Sequence, residues 1–346
     1  MLQSAIRRAA WARRVGIVLV GLFALGVSGI CSAAAWLTKS VDLGAVPHGL
    51  RVDAARGLIY LSVPEANRVY FVDRHSLAVT RKVYVGFHPT GIDLSAEGNT
   101  LYTALNQAGA LGVYDLANDT GTQFDISIPL GDSRTSEVIE TSPGIVYAAA
   151  DPCSNGFAWI VRADIAAQTA ARVANQQIIR CAPVFAHNAG GQHLYLAELG
   201  LYALDTAQAT APVVAAGNSQ TPPMQAPGFA VSPAGDKLIS GSGVVVSTST
   251  FLQYGSASIG PGPAIFGTDG TQIVRANGAL PITVYRYDAN TLAALDSIAT
   301  SCYTNDGYPA AIVELRDATG WAIISGSWLC TLEQIPDGIF IDGFGG

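Results

Sequence analysis

The fold is decided by the stretch Leu58-Ile59-Tyr60-Leu61-Ser62-Val63, which is followed by a turn at 65–67 and by Arg68-Val69-Tyr70-Phe71-Val72-Asp73. Residues in both halves alternate between two faces, and this period of two is typical of β-strands. A shorter alternating run at 50–52 precedes the stretch, and another at 79–85 follows it. The unit therefore predicts four short antiparallel strands joined by tight turns.

The same unit recurs along the chain, each time with a turn that closes on glycine before a short apolar strand. Successive turn glycines are 41, 46, 47, 44, 35 and 50 residues apart. They are Gly57, Gly98, Gly144, Gly191, Gly235, Gly270 and Gly320. A strand unit that repeats every forty-odd residues is typical of propeller blades. The sequence therefore predicts an all-β protein, a seven-bladed β-propeller.

The seventh unit lacks a clear fourth strand, because the chain reaches Pro336 soon after the apolar run at 328–332. Residues 37–43, ahead of the first unit, have the pattern of a fourth strand with no blade before it. We expect this N-terminal strand to complete the last blade, which closes the ring and removes an exposed sheet edge. A β-sandwich is the alternative, since its turns also come about every 8 to 12 residues.

The N-terminal residues have the order of a secretory signal. Arg7, Arg8, Arg13 and Arg14 precede an apolar run at 15–30 and a small-residue stretch at 32–35. Residues 1–35 are predicted to be a signal peptide cleaved before Trp36, residues 36–336 the propeller, and residues 337–346 a C-terminal tail. An uncleaved membrane anchor is the alternative, although its 16-residue core is shorter than the roughly 20 residues that span a bilayer. We expect a periplasmic or secreted protein, with membrane contact only if the signal is kept.

Charge excludes one class of partner. Removing the four N-terminal arginines changes the formal charge from -7 to -11, because none of the 26 acidic residues is lost with them. A nucleic-acid binder needs clustered Lys and Arg, and no such cluster follows the signal. The expected partner is a protein, a glycan or a small-molecule ligand, bound by a monomer.

The cysteines predict disulfides. Cys31 leaves with the signal, and an even number of cysteines in an exported chain favours pairing. Of the three possible arrangements, we favour Cys153 with Cys181 and Cys302 with Cys330, since each pair is 28 residues apart. A zinc site is disfavoured, because the chain has no Cys-x-x-Cys pair.

The quoted stretch and the segment Ser232-Pro233-Ala234-Gly235-Asp236-Lys237-Leu238 resemble the Tyr-Val-Thr-Asn (YVTN) repeat propellers of bacteria. Residues 87–92 resemble the segment that opens a blade in that family, and the resemblance spans most of residues 37–336. It implies a seven-bladed wheel. Related propellers include lactone hydrolases and surface or periplasmic binding proteins, so the resemblance implies either a binding protein or a hydrolase.

The chain contains no nucleophile elbow, phosphate loop or zinc helix motif. Candidate site residues are therefore chosen by their position in the repeat unit. Segments that open the innermost strands of a propeller line its central channel. The polar residues in those segments are His48, His88, Glu137 and Tyr308. Convergent polar groups at a channel mouth make a ligand site, and the alternative is that the histidines only cap strand ends beside prolines. His187 and His193 flank a turn and are expected to face solvent.

Two further patterns favour structural roles. Asp93 and Asp115 are expected to cap turns and not to bind calcium, because Asp bonds to nearby backbone in tight loops. An aromatic residue recurs just after the turn in four units, which favours packing between blades. These residues are Tyr60, Tyr102, Tyr147 and Tyr195.

Together these observations predict an exported, non-enzymatic β-propeller that acts as a ligand- or protein-binding scaffold and needs no cofactor. The alternative is a lactonase-like hydrolase whose divalent metal is held in the channel by residues such as His48, His88 and Glu137. The sequence assigns no metal site under the first reading.

Overall fold

The computed structural model describes residues 35–126, 134–151, 158–173, 183–188, 190–197, 200–218, 221–222, 224, 228–257, 260–278, 281–302, 309–315 and 320–335. These residues form 28 β-strands and one 3-10 helix, Pro64–Ala66, in seven four-stranded antiparallel sheets. The predicted seven-bladed β-propeller is confirmed. No helix in this part of the chain has the length and apolar character needed to cross a membrane.

Each blade takes its four strands in sequence order, from the innermost to the outermost. Blade 1 contains β2 (Gly49–Asp53), β3 (Leu58–Val63), β4 (Arg68–Asp73) and β5 (Val79–Val83). Blade 2 contains β6 (Pro89–Leu94), β7 (Thr100–Leu105), β8 (Ala110–Asp115) and β9 (Thr120–Asp125). Blade 3 contains β10 (Arg134–Ser142), β11 (Ile145–Asp151), β12 (Trp159–Asp164) and β13 (Thr169–Arg172).

The remaining blades follow the same order, except that the last takes its outermost strand from the N-terminus. Blade 4 contains β14 (Val184–His187), β15 (His193–Ala197), β16 (Leu201–Asp205) and β17 (Val213–Ala216). Blade 5 contains β18 (Phe229–Val231), β19 (Lys237–Ser240), β20 (Val244–Ser247) and β21 (Gln253–Ser256). Blade 6 contains β22 (Ala264–Phe266), β23 (Gln272–Asn277), β24 (Thr283–Asp288) and β25 (Ala294–Ala299). Blade 7 contains β26 (Ala311–Glu314), β27 (Gly320–Ser325), β28 (Trp328–Gln334) and β1 (Trp36–Asp42).

The innermost strands surround the axis of the propeller. Each of β2, β6, β10, β14, β18 and β22 contacts the innermost strand of the next blade, and β26 contacts β2. The ring is therefore closed, and residues of these seven strands that face the axis meet in one channel.

Closure of the ring by the N-terminal strand is confirmed. Strand β1 pairs antiparallel with β28, from Trp36 opposite Gln334 to Asp42 opposite Trp328. The Trp36 ring stacks on Trp321 with their centroids 5.2 Å apart. Because β1 covers the edge of β28, the last blade has four strands like the others.

The turn glycines hold the positions that the repeat predicts in five of the seven units. Five of the seven have φ between 64° and 74°, the left-handed region that favours glycine. In the fourth unit Gly190, with φ 79°, takes this conformation, and Gly191 donates its N–H to the carbonyl of Asn188. Gly320 is the first residue of β27.

The strand boundaries predicted from the sequence agree best with those of the structure for the inner strands. In the third unit, β12 and β13 form a hairpin in which Asp164 pairs with Thr169. The outermost strand of blade 2, β9, lies at Thr120–Asp125. Residues 120–123 are exposed and lack the apolar residues that mark a buried strand face.

Packing between blades supplies the hydrophobic core. Tyr60, Tyr102, Tyr147 and Tyr195 are all buried, with at most 4% of their surface exposed, so their predicted core role is confirmed. Apolar side chains of blade 2, such as Leu111, cluster with those of blade 3, such as Val146. Burial of apolar surface of this kind is the main contribution to stability.

Two glycines allow innermost strands to approach closely. A Cβ added to Gly91 of β6 would lie 2.8 Å from Cα of Glu137 on β10. One added to Gly49 of β2 would lie 2.6 Å from Ile92 Cγ2 and 3.0 Å from the Thr90 carbonyl on β6. Blades 1, 2 and 3 therefore meet near the axis at positions that exclude a side chain.

A buried arginine joins blades 5 and 6. Arg275 of β23 has no exposed surface, and its guanidinium donates to the carbonyls of Ala257 at 2.7 Å, Gly241 at 2.5 Å and Gly260 at 2.8 Å. Gly241 lies in the turn between β19 and β20, and the other two carbonyls belong to the connection from blade 5 to blade 6. The side chain thus holds two loops of one blade on a strand of the next.

The predicted Cys302–Cys330 disulfide is confirmed, with the two Cα atoms 6.0 Å apart. Cys302 follows the last strand of blade 6 and Cys330 lies in β28, so the bond joins these two blades inside the core. Cys153 and Cys181 lie outside the described residues.

Removing this disulfide is expected to lower the free energy of unfolding by about 3 to 4 kcal/mol, because a 28-residue separation is no longer constrained in the unfolded chain. The measurement is chemical denaturation of the Cys302→Ser, Cys330→Ser double variant under non-reducing conditions. The unchanged protein with reductant is the matched comparison, and a loss below about 1 kcal/mol would contradict a stabilising role.

Candidate functional site

The candidate site is a cavity of about 320 Å³ on the propeller axis. It lies toward the carboxyl ends of the innermost strands, and every one of the seven contributes to its lining. The polar and charged residues of the lining are Arg51, Asp93, His187, Thr268 and Glu314. Its size falls at the lower end of the roughly 300 to 1,000 Å³ typical of small-molecule pockets.

An ion pair joins the first three blades at the cavity wall. Arg51 Nε lies 2.8 Å from Asp93 Oδ1, and the second Asp93 oxygen accepts the backbone N–H of Glu140 at 2.8 Å. The exposed fraction of the Asp93 side chain is 13%, against 35% for Arg51. Asp93 was expected to cap a turn; it instead connects β2, β6 and β10. Asp115 does cap its turn, since Oδ1 accepts the N–H groups of Ala117 and Asn118.

Glu137 lies on β10, two residues before the lining residue Ile139. Its side chain keeps some accessible surface but is surrounded by protein, as expected for a group inside a narrow channel. Burial raises the pKa of Glu137 to about 7; the charge of Asp93 adds to this, and that of Arg51 opposes it. The protonation state of Glu137 therefore changes near neutral pH.

His187 and Glu314 occupy the ends of β14 and β26. Burial lowers the pKa of His187, against the opposing effects of its bond to the Gly191 carbonyl and of the Asp93 charge. His187 Nε2 lies 3.1 Å from that carbonyl oxygen. Glu314 Oε2 accepts the backbone N–H of Thr268 at 2.8 Å. Because its pKa is lowered, the imidazole of His187 is uncharged at neutral pH.

Apolar side chains form the rest of the wall. Phe185, Phe229 and Phe266 come from blades 4, 5 and 6. Ile139, Val231 and Val313 add aliphatic surface. The arrangement of a few polar groups in an apolar wall is the usual composition of a small-molecule site.

The residues predicted from sequence are only partly brought together. His48 and His88 lie near each other at the opposite ends of the innermost strands, just before β2 and β6. Although the surface of His48 is exposed, the surrounding protein lowers its pKa through loss of hydration, and the charge of His88 adds to this. His88 precedes Pro89 with φ 51°, a conformation uncommon outside glycine.

Glu137 is separate from this histidine pair. It lies in the middle of β10 and not at its opening, and the charges that affect its pKa are those of Arg51 and Asp93. Tyr308 lies outside the described residues. Within the described ranges, no group of three or more His, Cys, Asp or Glu side chains is placed to hold a metal ion.

The cavity lies at the opposite ends of the innermost strands from His48 and His88, so most of its polar residues are not among those predicted from the sequence. Arg51, Asp93, His187 and Glu314 lie four to six residues before the turn glycine of their units. His187, expected to face solvent, is half-buried in the lining. A search for polar residues at this spacing would have found all four.

No protein-family model matches the chain, and no curated protein matches it.

Proposed function

We propose that the protein is an exported β-propeller of the YVTN kind that binds a small molecule in its axial cavity. The observation that carries the proposal is the cavity itself, which all seven innermost strands line and to which four of them contribute a polar side chain within an apolar wall. Because strands of all seven blades line the cavity, the complete ring is needed to form a site for even a small ligand.

Export is supported by two observations. The Cys302–Cys330 disulfide suits an oxidising compartment such as the periplasm or the exterior. Strand β1 begins at Trp36, the residue at which the cleaved chain is predicted to start. We therefore place the function outside the cytoplasm.

A binding role is favoured over metal-dependent hydrolysis. The hydrolase requires His48, His88 and Glu137 to converge, and they do not form such a group. The cavity walls instead offer recognition groups that are already hydrogen-bonded to the protein, as suits a preformed binding site.

Narrowing the cavity is expected to abolish ligand binding. Thr268 is exposed at the lining, and only its backbone N–H is used by Glu314, so Thr268→Trp adds bulk while keeping that bond. A library of cationic, neutral and anionic fragments is screened by ligand-observed NMR. Fragments that bind the unchanged protein should bind Thr268→Trp at least about tenfold more weakly.

The matched control is Thr122→Trp, an exposed threonine on the outermost strand of blade 2, far along its sheet from the axis. It should bind the same fragments as the unchanged protein. If Thr268→Trp kept all of the fragments, or if no fragment bound the unchanged protein, the axial cavity would not be the site.

A further inference from the structure

The charge balance of the cavity selects among ligands. Arg51 is the one cationic side chain in the described lining, and it is already paired with Asp93. Glu314 remains in the lining, and Glu137 lies next to the Arg51–Asp93 pair. With the ion pair neutral and His187 uncharged, the Glu314 carboxylate leaves the lining negative, and Glu137 adds negative charge above its pKa of about 7. An anionic ligand would meet repulsion here.

Glu314 retains the capacity to accept a further hydrogen bond. One of its oxygens accepts from Thr268, and an ionised carboxylate accepts several hydrogen bonds through its two oxygens. Because Glu314 is only half-buried and its neighbour Thr268 is exposed, a ligand can reach it from solvent. A hydrogen bond from an ammonium group to this carboxylate would be charge-assisted and therefore strong.

The aromatic wall points to the same ligand class. Three phenylalanines on successive blades line the cavity beside these carboxylates: Phe185, Phe229 and Phe266. Aromatic rings attract cations through their faces and also bury apolar groups. A ligand that carries both an ammonium group and an apolar group can use both kinds of wall.

We propose that the cavity binds a compact organic cation, with its ammonium group at Glu314 and its apolar part against the phenylalanines. This inference rests on the proposed function, since it names the ligand class of the same cavity. The volume of about 320 Å³ lies at the lower end of the range for small-molecule pockets and so favours a small ligand.

Binding should weaken as the pH falls. The charges of Arg51 from β2 and Asp93 from β6 act on Glu137, and the charge of Asp93 also acts on His187 of β14. Protonation of Glu137 below its pKa of about 7 removes a negative charge, and protonation of His187 at lower pH adds a positive one. Both changes disfavour a cation, so the two groups act in the same direction.

The test compares three probes of the same ring size by isothermal titration calorimetry: benzylamine, benzyl alcohol and benzoate. Benzylamine should bind at about pH 8, where it is cationic, and about tenfold or more weakly at about pH 5.5. Benzyl alcohol should bind more weakly than benzylamine, and benzoate should not bind.

Two variants locate the charge. Glu314→Gln should weaken benzylamine binding by about tenfold or more, because the charge-assisted bond is lost. Glu137→Gln should reduce the dependence of binding on pH. Glu65→Gln, which removes an exposed carboxylate on blade 1, is the matched control and should bind benzylamine normally.

The outcomes separate this inference from the proposed function. If benzyl alcohol or benzoate bound as well as benzylamine, and Thr268→Trp abolished that binding, the cation inference would be wrong and the cavity would remain the ligand site. If Glu314→Gln and Thr268→Trp both bound benzylamine as tightly as the unchanged protein does, the cation would bind elsewhere and the inference would also be wrong. If no probe bound, the inference would fail, and the fragment screen would decide the proposed function by itself.

Discussion

A chain that begins at Gly44 is expected to lose the folded monomer, because the last blade then lacks its fourth strand. The deletion removes every pair between β1 and β28, the stack of Trp36 on Trp321, and the buried side chain of Leu43. The edge of β28 would become free to pair with another chain, which favours aggregation. Size-exclusion chromatography and thermal unfolding followed by circular dichroism measure this; no cooperative transition of a monomer should remain.

A rearranged chain tests whether the strand itself or its place in the sequence matters. Ile335 donates its N–H to the carbonyl of Ala35 at 2.8 Å, so the ends of β28 and β1 are neighbours. Residues 35–43 placed after Ile335 through a two-residue Asn-Gly turn keep the pairing of Trp36 with Gln334 and should therefore form a hairpin and restore the monomer. If the shortened chain already unfolded cooperatively as a monomer, closure by β1 would not be needed for stability.

Replacing Arg275 by methionine is expected to lower the free energy of unfolding by about 3 to 5 kcal/mol, since several buried carbonyls lose a charged donor. Methionine is long enough to occupy much of the space, so the loss reports mainly on hydrogen bonds. Urea denaturation followed by tryptophan fluorescence measures it.

Two further variants control this result. Arg275→Lys keeps a cation with three donors and should restore part of the loss. Arg134→Met replaces an exposed arginine at the start of β10 and should change stability by no more than about 0.5 kcal/mol. A loss of that size for Arg275→Met as well would mean that the loops between blades 5 and 6 do not need the guanidinium.

Much of the fold is predictable from sequence because strand alternation and turn glycines are local signals. The unit at 50–85 predicts the four strands of blade 1 almost residue by residue, and the incomplete seventh unit predicts the pairing of β1 with β28. The outermost strands are harder. Strand β9 is exposed on most of its residues, so no buried face marks its start at Thr120.

The site is less predictable because it depends on which end of each innermost strand surrounds the cavity. His48 and His88 are correctly placed before innermost strands, but the cavity lies toward the other ends. Nothing in the local sequence of Asp93 distinguishes a turn cap from a partner of Arg51, which is 42 residues away. Long-range contacts of this kind require the closed ring.

Gly49 and Gly91 affect the width of the central passage of the propeller. Since a methyl group at either position would collide with the neighbouring blade, the spacing of these blades is set by the absence of side chains. Alanine there would push the adjoining blades apart and widen the central passage. The diameter of the passage therefore depends on two residues that do not themselves line the cavity.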